Sequence, residues 1–542
     1  MRQWLLPPAM AGDPGLVRIG PGTVGDEDYS CPEQQAARAR PAVYARAGMR
    51  LPKPRLETFT LAPVMAALDR IELHGDSVEA ALEFARRGKP AHPGVLTFAE
   101  HAVRSYVGRS MSGMRPVPDF WVAQKNNGTL WELYAWGRRY ESQDGRRREF
   151  VFLRFGEAGA RERDRGQIAI AAYATAFGAP ARWPQSWSEP FTPNGSATAV
   201  EQVRVVEVGL SGGPPLLLFE GTPSQVTAYF ADYGRREITE IAAGGLSRPG
   251  SPCAGCKLLT SCDALPRIPG LLGISSRRAP LRKVSVSDLR YYGKCPAQAH
   301  MSSVHLPRAA EYSDEAKLGQ AVHGWLETSH RGRIRAACNG HDVPRGDRDW
   351  TGGRWTMTGE WARLGSQMIA HHTDVCPYRD ASSITEVELE PALAFHDTAA
   401  QTIVIAKPDM IYLQDNSWVW RETKTTQKPR FYHSDLLDEF PQLALALVLL
   451  AEGALGGELT GSRVELEVLR PQGQDLLYED PTDPLRVAKA REVLRKLAEP
   501  WRGDEDFEAR PGRACQTCPV SRWCPSSPGI SPTDEATGAT NG

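Results

Sequence analysis

Eight of the ten cysteines form two sets with the same spacing, and metal or cluster ligation is the first chemistry that such a repeat indicates. The stretches "SPCAGCKLLTSCD" and "RACQTCPVSRWCP" both read C-x2-C-x5-C and lie 262 residues apart (515 − 253). A lone Cys-Pro precedes each trio, by 222 residues (253 − 31) and by 220 (515 − 295). The sets are Cys31, Cys253, Cys256 and Cys262, and Cys295, Cys515, Cys518 and Cys524, with Cys338 and Cys376 left over.

Four thiolates hold either a tetrahedral zinc ion or an iron–sulfur cluster. Zinc ribbons usually pair two close C-x2-C knuckles, whereas here a lone cysteine and a trio bracket a whole domain. This layout favours a [4Fe–4S] cluster over zinc, above all for the second set, and both ligands stay open for the first. Unliganded buried thiols explain the repeated spacing poorly. The repeat therefore indicates an internally duplicated chain.

Paired carboxylates beside a lysine are the second chemical feature. The segment 403–427, "IVIAKPDMIYLQDNSWVWRETKTTQ", predicts a β-hairpin with "QDNS" as its turn. Glu422 and Lys424 are two residues apart and project from one face of their strand, and strand twist brings Asp409 alongside. Carboxylates bind Mg²⁺ or Mn²⁺, and a neighbouring lysine stabilises developing negative charge. An exposed Glu-x-Lys ion pair is the ordinary alternative, but the buried context of "WVW" favours a paired or metal-bound charge.

Two further side chains are candidates because of their context. His323 lies in "KLGQAVHGWLE", which has apolar residues at helical spacing, and Gln442 lies near the start of the apolar helix "FPQLALALVLLAEG". Between them, "ITEVELEPALAF" alternates like a strand. Taken singly, His323 is typical of a structural histidine and Gln442 of a helix-start residue.

In this order, the parts resemble the RecB-like branch of the PD-(D/E)XK nucleases, in the iron–sulfur version seen in AddB-type subunits and CRISPR-associated exonucleases. The resemblance implies a mixed sheet flanked by helices, DNA as substrate and a catalytic Mg²⁺ or Mn²⁺. It also implies a role for each matching residue. Asp409 and Glu422 would bind the metal with help from His323, Lys424 would assist the attacking water, Gln442 would position the strand or a water, and Cys295, Cys515, Cys518 and Cys524 would hold a [4Fe–4S] cluster.

The first half, compared with the second, keeps the cysteines and loses the carboxylates. Met65 corresponds to His323, Tyr140 to Asp409, Arg154 to Glu422, Gly156 to Lys424 and Gln167 to Gln442. Tyrosine, arginine and glycine do not bind a divalent cation as carboxylates do. The first half is therefore predicted to be a degenerate nuclease domain whose four cysteines still hold a second cluster.

The predicted fold class is α/β, with two tandem restriction-endonuclease-like domains, each a mixed sheet flanked by helices and stapled by four cysteines. The predicted boundaries are a disordered segment 1–25, a degenerate domain 26–268, a linker 269–284, an active domain 285–526 and a disordered tail 527–542.

Net charge, apolar runs and missing motifs limit the classes of function that remain possible. The net charge is −1, so nucleic-acid binding requires local basic patches. No apolar run is long enough for a membrane span and no secretion signal opens the chain, so a cytoplasmic protein is expected. No phosphate-binding loop is found, so any DNA unwinding requires a separate helicase or another repair or defence protein. The leading hypothesis is a metal-dependent exonuclease on single-stranded DNA ends; the alternative is a non-catalytic DNA-binding or scaffolding subunit.

Overall fold

The fold is taken from a computed structural model of the 542-residue chain. The structure describes residues 4–25, 30–46, 51–108, 113–195, 199–276, 278–309, 313–332, 336–428 and 435–528.

The chain divides into two compact units that are discontinuous in sequence. Unit 1 comprises 1–265, 294–309 and 505–542, and unit 2 comprises 266–293 and 310–504. Both cysteine sets therefore belong to unit 1, whereas Asp409 and Glu422 belong to unit 2. The predicted domain boundaries do not coincide with these units and stay a prediction.

Strands and helices are numbered in chain order within the described ranges. The strands are β1 Met10–Gly12, β2 Leu16–Ile19, β3 Val43–Ala45, β4 Arg115–Pro116, β5 Phe120–Asn126, β6 Leu130–Tyr134, β7 Arg138–Glu141, β8 Arg147–Arg154, β9 Ala179–Arg182, β10 Thr192–Pro193, β11 Gln202–Gly209, β12 Leu216–Gly221, β13 Arg282–Ser285, β14 Trp350–Gly352, β15 Trp355–Met357, β16 Ile384–Leu389, β17 Leu393–Asp397, β18 Thr402–Ala406, β19 Met410–Gln414, β20 Ser417–Thr425, β21 Arg463–Arg470 and β22 Gly473–Glu479. The helices are α1 Pro32–Arg38, α2 Ala62–His74, α3 Val78–Arg86, α4 Pro93–Val107, α5 Arg165–Phe177, α6 Pro223–Tyr229, α7 Arg235–Ala243, α8 Val286–Lys294, α9 Pro296–Ser303, α10 Asp314–Gly332, α11 Gly359–Val375, α12 Leu436–Glu439, α13 Pro441–Ala451 and α14 Pro484–Gly503.

Unit 2 is built on the five-stranded mixed sheet β16-β19-β20-β21-β22. Strands β20 and β21 are parallel, and the other neighbouring pairs are antiparallel. Helix α13 contacts both β20 and β21, and its side chains from Leu443 to Leu450 are buried. A parallel pair requires a crossover connection, which α12 and α13 supply. The apolar run "LALALVLL" is thus a core helix rather than a membrane span, as its length predicts.

Unit 1 contains a sheet with the same order and the same strand directions, β4-β7-β8-β11-β12. Here β8 and β11 are parallel, and the other neighbouring pairs are antiparallel. Helix α5 lies in the crossover between β8 and β11 and contacts both strands. Unit 1 also contains a further mixed sheet, β10-β9-β5-β6-β2, and the two-stranded sheet β1-β3.

Two predicted irregular segments are wrong in this structure. Residues 1–25 were expected to be disordered, yet β2 is fully buried and pairs with β6. Residues 269–284 were expected to be a linker, yet Leu271 and Leu272 are buried and β13 pairs with β18. Both segments consist of short apolar runs interrupted by glycine and proline, which give no periodic signal in the sequence, and packing in the tertiary structure orders them. The predicted tail lies outside the described residues beyond 528.

None of the helices in the described ranges combines the length and the apolar character that crossing a membrane requires.

Candidate active site

A tight hairpin places the two candidate carboxylates side by side. Met410 of β19 lies opposite Arg421 of β20, so Asp409 and Glu422 are the next pair along the two strands. The turn residues Asp415 and Asn416 have φ angles of 47° and 62°, a left-handed pair that suits a two-residue hairpin. The predicted hairpin is therefore confirmed for β19 and β20, whereas residues 403–406 belong to β18, which lies in the sheet β13-β18-β17.

Lys424 bridges the two carboxylates. Its Nζ lies 3.3 Å from Glu422 Oε2 and 3.7 Å from Asp409 Oδ2. The backbone N–H of Thr423 donates to Asp409 Oδ2 at 2.7 Å, and His323 Nδ1 on α10 lies 3.4 Å from Asp409 Oδ1. The structure thus brings together four of the five predicted side chains.

Gln442, the fifth predicted residue, lies at the second position of α13 and is half-buried. Among the described residues, no hydrogen bond or ion pair joins it to the other four. Its role in strand or water positioning stays a prediction.

The site is buried on one side and accessible on the other. Glu422 is 8% exposed in its side chain and accepts a hydrogen bond from Trp420 Nε1 at 3.1 Å. His323 and Lys424 line an open cleft of about 590 Å³, together with Glu327, Glu390 and Trp355. The cleft leaves the lysine accessible while the sheet fixes the carboxylates.

Burial and charge act in opposite directions on the two carboxyls. Burial opposes ionisation of Asp409, but His323 and Lys424 outweigh it and hold the pKa of Asp409 well below its usual range. Burial raises the pKa of Glu422 to about 7, Lys424 opposes that rise, and Asp409 adds to it. Burial also disfavours the lysine cation, yet Glu422 and Asp409 raise the pKa of Lys424. One carboxyl is thus ionised and the other titrates near neutrality, as two adjacent acids do.

This donor set fits a hard divalent cation. Asp409 and Glu422 offer carboxylate oxygens that lie within 3.7 Å of a single point, the Lys424 Nζ. Mg²⁺ is commonly bound through one or two carboxylates, with water and substrate phosphate oxygens filling the other positions. Burial is the main cause of the raised pKa of Glu422, and a bound cation would offset both that burial and the added repulsion from Asp409.

The corresponding end of the unit 1 sheet holds an arginine–glutamate cluster. Arg154 Nε donates to Glu207 Oε1 at 2.6 Å, and Arg163 Nε donates to Glu207 Oε2 at 2.7 Å. Gln167 accepts from Arg163 Nη1 at 2.9 Å. Two guanidinium groups satisfy the one buried carboxylate, so this cluster does not fit a divalent cation.

The predicted equivalence of Tyr140 with Asp409 is wrong in register. Tyr140 lies opposite Glu149, five residues before Arg154 (154 − 149), so these two are not neighbours as Asp409 and Glu422 are. Insertions between the aligned segments, which sequence spacing cannot place, account for the shift.

Each cysteine set lines one cavity within unit 1. Cys295, Cys515, Cys518 and Cys524 line one cavity, and Cys31, Cys253, Cys256 and Cys262 line another. Burial raises the pKa of the Cys256 thiol to about 12, and it also raises the pKa of Cys518 and Cys524. Four thiols that line one cavity are a candidate ligand set once they lose their protons, and the predicted cluster at each set stays a prediction.

The backbone around the two cysteine sets is also matched. Cys31 and Cys295 each precede a helix that begins with proline. The N–H of Arg248 donates to Cys31 Sγ at 3.3 Å, and the N–H of Arg510 donates to Cys295 Sγ at 3.4 Å. Each arginine stands five residues before the first cysteine of its trio (253 − 248 and 515 − 510). The repeated spacing therefore corresponds to a repeated local structure.

A further group of potential ligands, which the sequence analysis missed, lies in unit 2. His330, Cys338, His372 and Cys376 are all buried and close together. The signal available in the sequence was His372 four residues before Cys376, one of the two cysteines left outside the repeated sets.

The central hairpin of a mixed sheet places Asp409 and Glu422 beside Lys424, which lines an open cleft, and the two carboxylates offer oxygen donors of the kind that a divalent cation prefers. Residues 283–525 match the family model described as "PD-(D/E)XK nuclease superfamily", and this part of the chain is a domain of that superfamily. Its members are generally nucleases that use divalent metals. No curated protein matches the chain. One similar solved structure, titled "Crystal structure of SSO0001", has 16% sequence identity and a TM-score of 0.21, and the match covers 45% of this chain and 86% of that one.

Proposed function

We propose that the domain in residues 283–525 is a metal-dependent deoxyribonuclease of the RecB-like branch that degrades single-stranded DNA from its ends. The observation that carries this proposal is the position of Lys424, whose Nζ lies within 3.7 Å of both Asp409 and Glu422 at an open cleft. Carboxylates and a cation in this arrangement serve phosphodiester hydrolysis, because the charge that develops on phosphate oxygens meets a preorganised cation.

Asp409 and Glu422 would hold Mg²⁺ or Mn²⁺. When bound, the metal polarises the phosphate and lowers the pKa of a coordinated water. Lys424 orients the attacking water and stabilises developing charge. His323 holds the Asp409 carboxylate, Trp420 holds that of Glu422, and both contacts fix the donors before substrate arrives.

The test uses end-labelled single-stranded DNA and Mn²⁺, with proteins purified anaerobically. We expect wild type to release short products from the ends and Lys424→Ala to lose at least about 100-fold in rate, as loss of a charge-stabilising group does. Lys496→Ala is the matched control, because Lys496 is exposed on α14 and 63% of its side chain faces solvent. Equal cleavage by wild type and Lys424→Ala would overturn the assignment. DNA binding without cleavage by any variant would support the non-catalytic scaffolding alternative.

The second cysteine set, Cys295, Cys515, Cys518 and Cys524, is proposed to hold a structural [4Fe–4S] cluster. The shared cavity and the N–H bond from Arg510 to Cys295 Sγ support it, since such hydrogen bonds accompany cluster ligation. Iron and acid-labile sulfide near four equivalents per filled set test it, and zinc with no iron would contradict it.

The first half is proposed to be a degenerate copy that retains its cluster on Cys31, Cys253, Cys256 and Cys262. Three observations support this proposal: the shared sheet order, the matched N–H···S bonds of Arg248 and Arg510, and the Arg154–Glu207 cluster in place of metal-binding carboxylates. Because the chain carries no phosphate-loop motif, a separate helicase or another repair or defence protein would supply unwound DNA.

A further inference from the structure

Four buried side chains of unit 2 converge on one point away from the repeated cysteine sets. His330 lies near the end of α10, Cys338 follows in a loop, His372 is in the last turn of α11, and Cys376 caps that helix. One ligand atom from each lies within 4.8 Å of all the others. Each residue is at most 7% exposed, so the point that they surround is closed to solvent.

Two of the distances between the ligand atoms match the edges of a tetrahedron around zinc. His372 Nε2 lies 3.2 Å from His330 Nε2, and Cys376 Sγ lies 3.7 Å from His330 Nε2. With ordinary Zn–N and Zn–S bond lengths, the edges of a tetrahedral site are about 3.4 Å between two nitrogens and about 3.6 Å between nitrogen and sulfur.

The orientation of His372 is fixed from outside the group. Its Nδ1 lies 2.6 Å from Glu467 Oε1. Because a carboxylate oxygen only accepts, Nδ1 carries a proton and donates a hydrogen bond to Glu467. With a metal bound, the ring would be neutral and would present the lone pair of Nε2 to that metal. A carboxylate behind a histidine is the usual arrangement around a protein-bound zinc ion, because it sets both the tautomer and the ring angle.

We propose that His330, Cys338, His372 and Cys376 bind one structural Zn²⁺ ion. Two histidines and two cysteines complete four coordination positions, which is typical of a structural rather than a catalytic site. The soft sulfur donors separate this site from the oxygen donors Asp409 and Glu422, which suit Mg²⁺. The two sites hold different ions and share no ligand.

The zinc site would also support the catalytic strand. Glu467 Oε2 accepts from Thr423 Oγ1 at 3.1 Å, and the N–H of Thr423 donates to Asp409 at 2.7 Å. A metal that fixes His372 therefore fixes Glu467 on β21 and, through it, the residue between Glu422 and Lys424. Loss of zinc is expected to reduce cleavage through position and stability rather than through chemistry.

Metal content of the full-length protein, purified anaerobically without chelators, tests the proposal. We expect the Cys338→Ser/Cys376→Ser variant to contain one zinc per chain less than wild type, with iron unchanged. His341→Ala, an exposed histidine in the same region, is the matched control and should keep all its zinc. Cys515→Ser separates the sites, since it should lose iron and keep this zinc. Equal zinc in wild type and the double variant would overturn the proposal.

A measurement on wild type alone covers the case in which the double variant does not fold. Zinc-edge X-ray absorption should show imidazole scattering together with sulfur at about 2.3 Å. A sulfur-only shell, or wild type without zinc, would contradict the proposal. Alkylation of the denatured protein followed by mass spectrometry should find Cys338 and Cys376 as free thiols, and a disulfide between them would also contradict it.

Discussion

The sheet β16-β19-β20-β21-β22 of unit 2 and the sheet β4-β7-β8-β11-β12 of unit 1 share an order and a set of strand directions but carry different chemistry at their centres. In unit 2 the central strand β20 presents Glu422 and Lys424 beside Asp409. In unit 1 the central strand β8 ends in Arg154, which is paired with Glu207. Both arrangements satisfy their charges, yet only the first leaves carboxylate oxygens for a cation. The same strand order and helix crossover can therefore carry either a pair of carboxylates that suits a cation or an arginine–glutamate cluster.

The largest expected contrast is between the two buried glutamates. Glu422→Gln should lower cleavage by about 1,000-fold or more, because a metal ligand and its charge are lost, with a small change in stability. Glu207→Gln should leave cleavage unchanged but lower the free energy of unfolding by about 3 kcal/mol, because Arg154 and Arg163 are then left without a counter-charge. Urea unfolding and the DNA assay measure the two effects. If Glu207→Gln lost cleavage while keeping its full stability, Glu207 would have a role in cleavage, and the contrast with Glu422 would be wrong.

The cysteine sets provide a second contrast. Cys253→Ser and Cys515→Ser should each remove about half of the iron, because each set is expected to hold its own cluster. Unit 1 also packs Phe98 against Trp523, with ring centroids 5.1 Å apart, next to Cys524. Phe98→Ala should therefore reduce iron retention at the second set, as iron analysis after dialysis would show. Complete iron loss from either single serine variant would mean that the two sets are not independent.

The acidity of Glu422 predicts a pH dependence of metal binding. Its pKa is about 7 in the metal-free protein, so the carboxyl is protonated below that pH and a proton must leave before a cation binds. Mn²⁺ affinity should fall by up to about tenfold per pH unit below pH 7 and level off above it. Calorimetric titration from pH 5.5 to 8.5 measures this dependence. An affinity that is flat across that range would contradict the shifted pKa, and Glu422→Gln should remove the dependence.

The smallest expected effect concerns Trp420. Trp420→Phe removes the hydrogen bond to Glu422 while keeping an aromatic ring in the core. Because that bond favours the ionised carboxyl, its loss should raise the pKa of Glu422 and reduce cleavage by about tenfold or less at pH 7. Raising the pH should restore much of the rate. A deficit that persists unchanged at pH 8.5 would show that Trp420 acts through packing alone.

Most of the candidate site could be predicted from the sequence because its residues are close together along the chain. Glu422 and Lys424 are two residues apart in a strand, and the turn at Asp415 and Asn416 returns the chain beside Asp409, so hairpin geometry alone brings these groups together. The repeated C-x2-C-x5-C spacing likewise identified both cysteine sets. The predicted equivalence of Tyr140 with Asp409 was wrong because the register between the two aligned segments depends on insertions, which residue spacing does not show.

Other features required the tertiary structure. The segments 1–25 and 269–284 are short and weakly patterned, and long-range pairing with β6 and β18 gives them their order. The His330, Cys338, His372 and Cys376 group is assembled from two helices and a loop, so no single window of sequence contains it. The assignment of both cysteine sets to unit 1 likewise rests on contacts between distant residues.

The sequence by itself determined which chemistries the chain carries: carboxylates with a lysine, two thiol quartets and a core of amphipathic strands and apolar helices. Periodicity and spacing are local properties, and they survive in a single sequence. Tertiary structure decided which charges meet, because burial and distance set whether Glu422 titrates near pH 7 and whether Arg154 finds Glu207. Those quantities depend on strand register and helix packing, which non-local contacts fix.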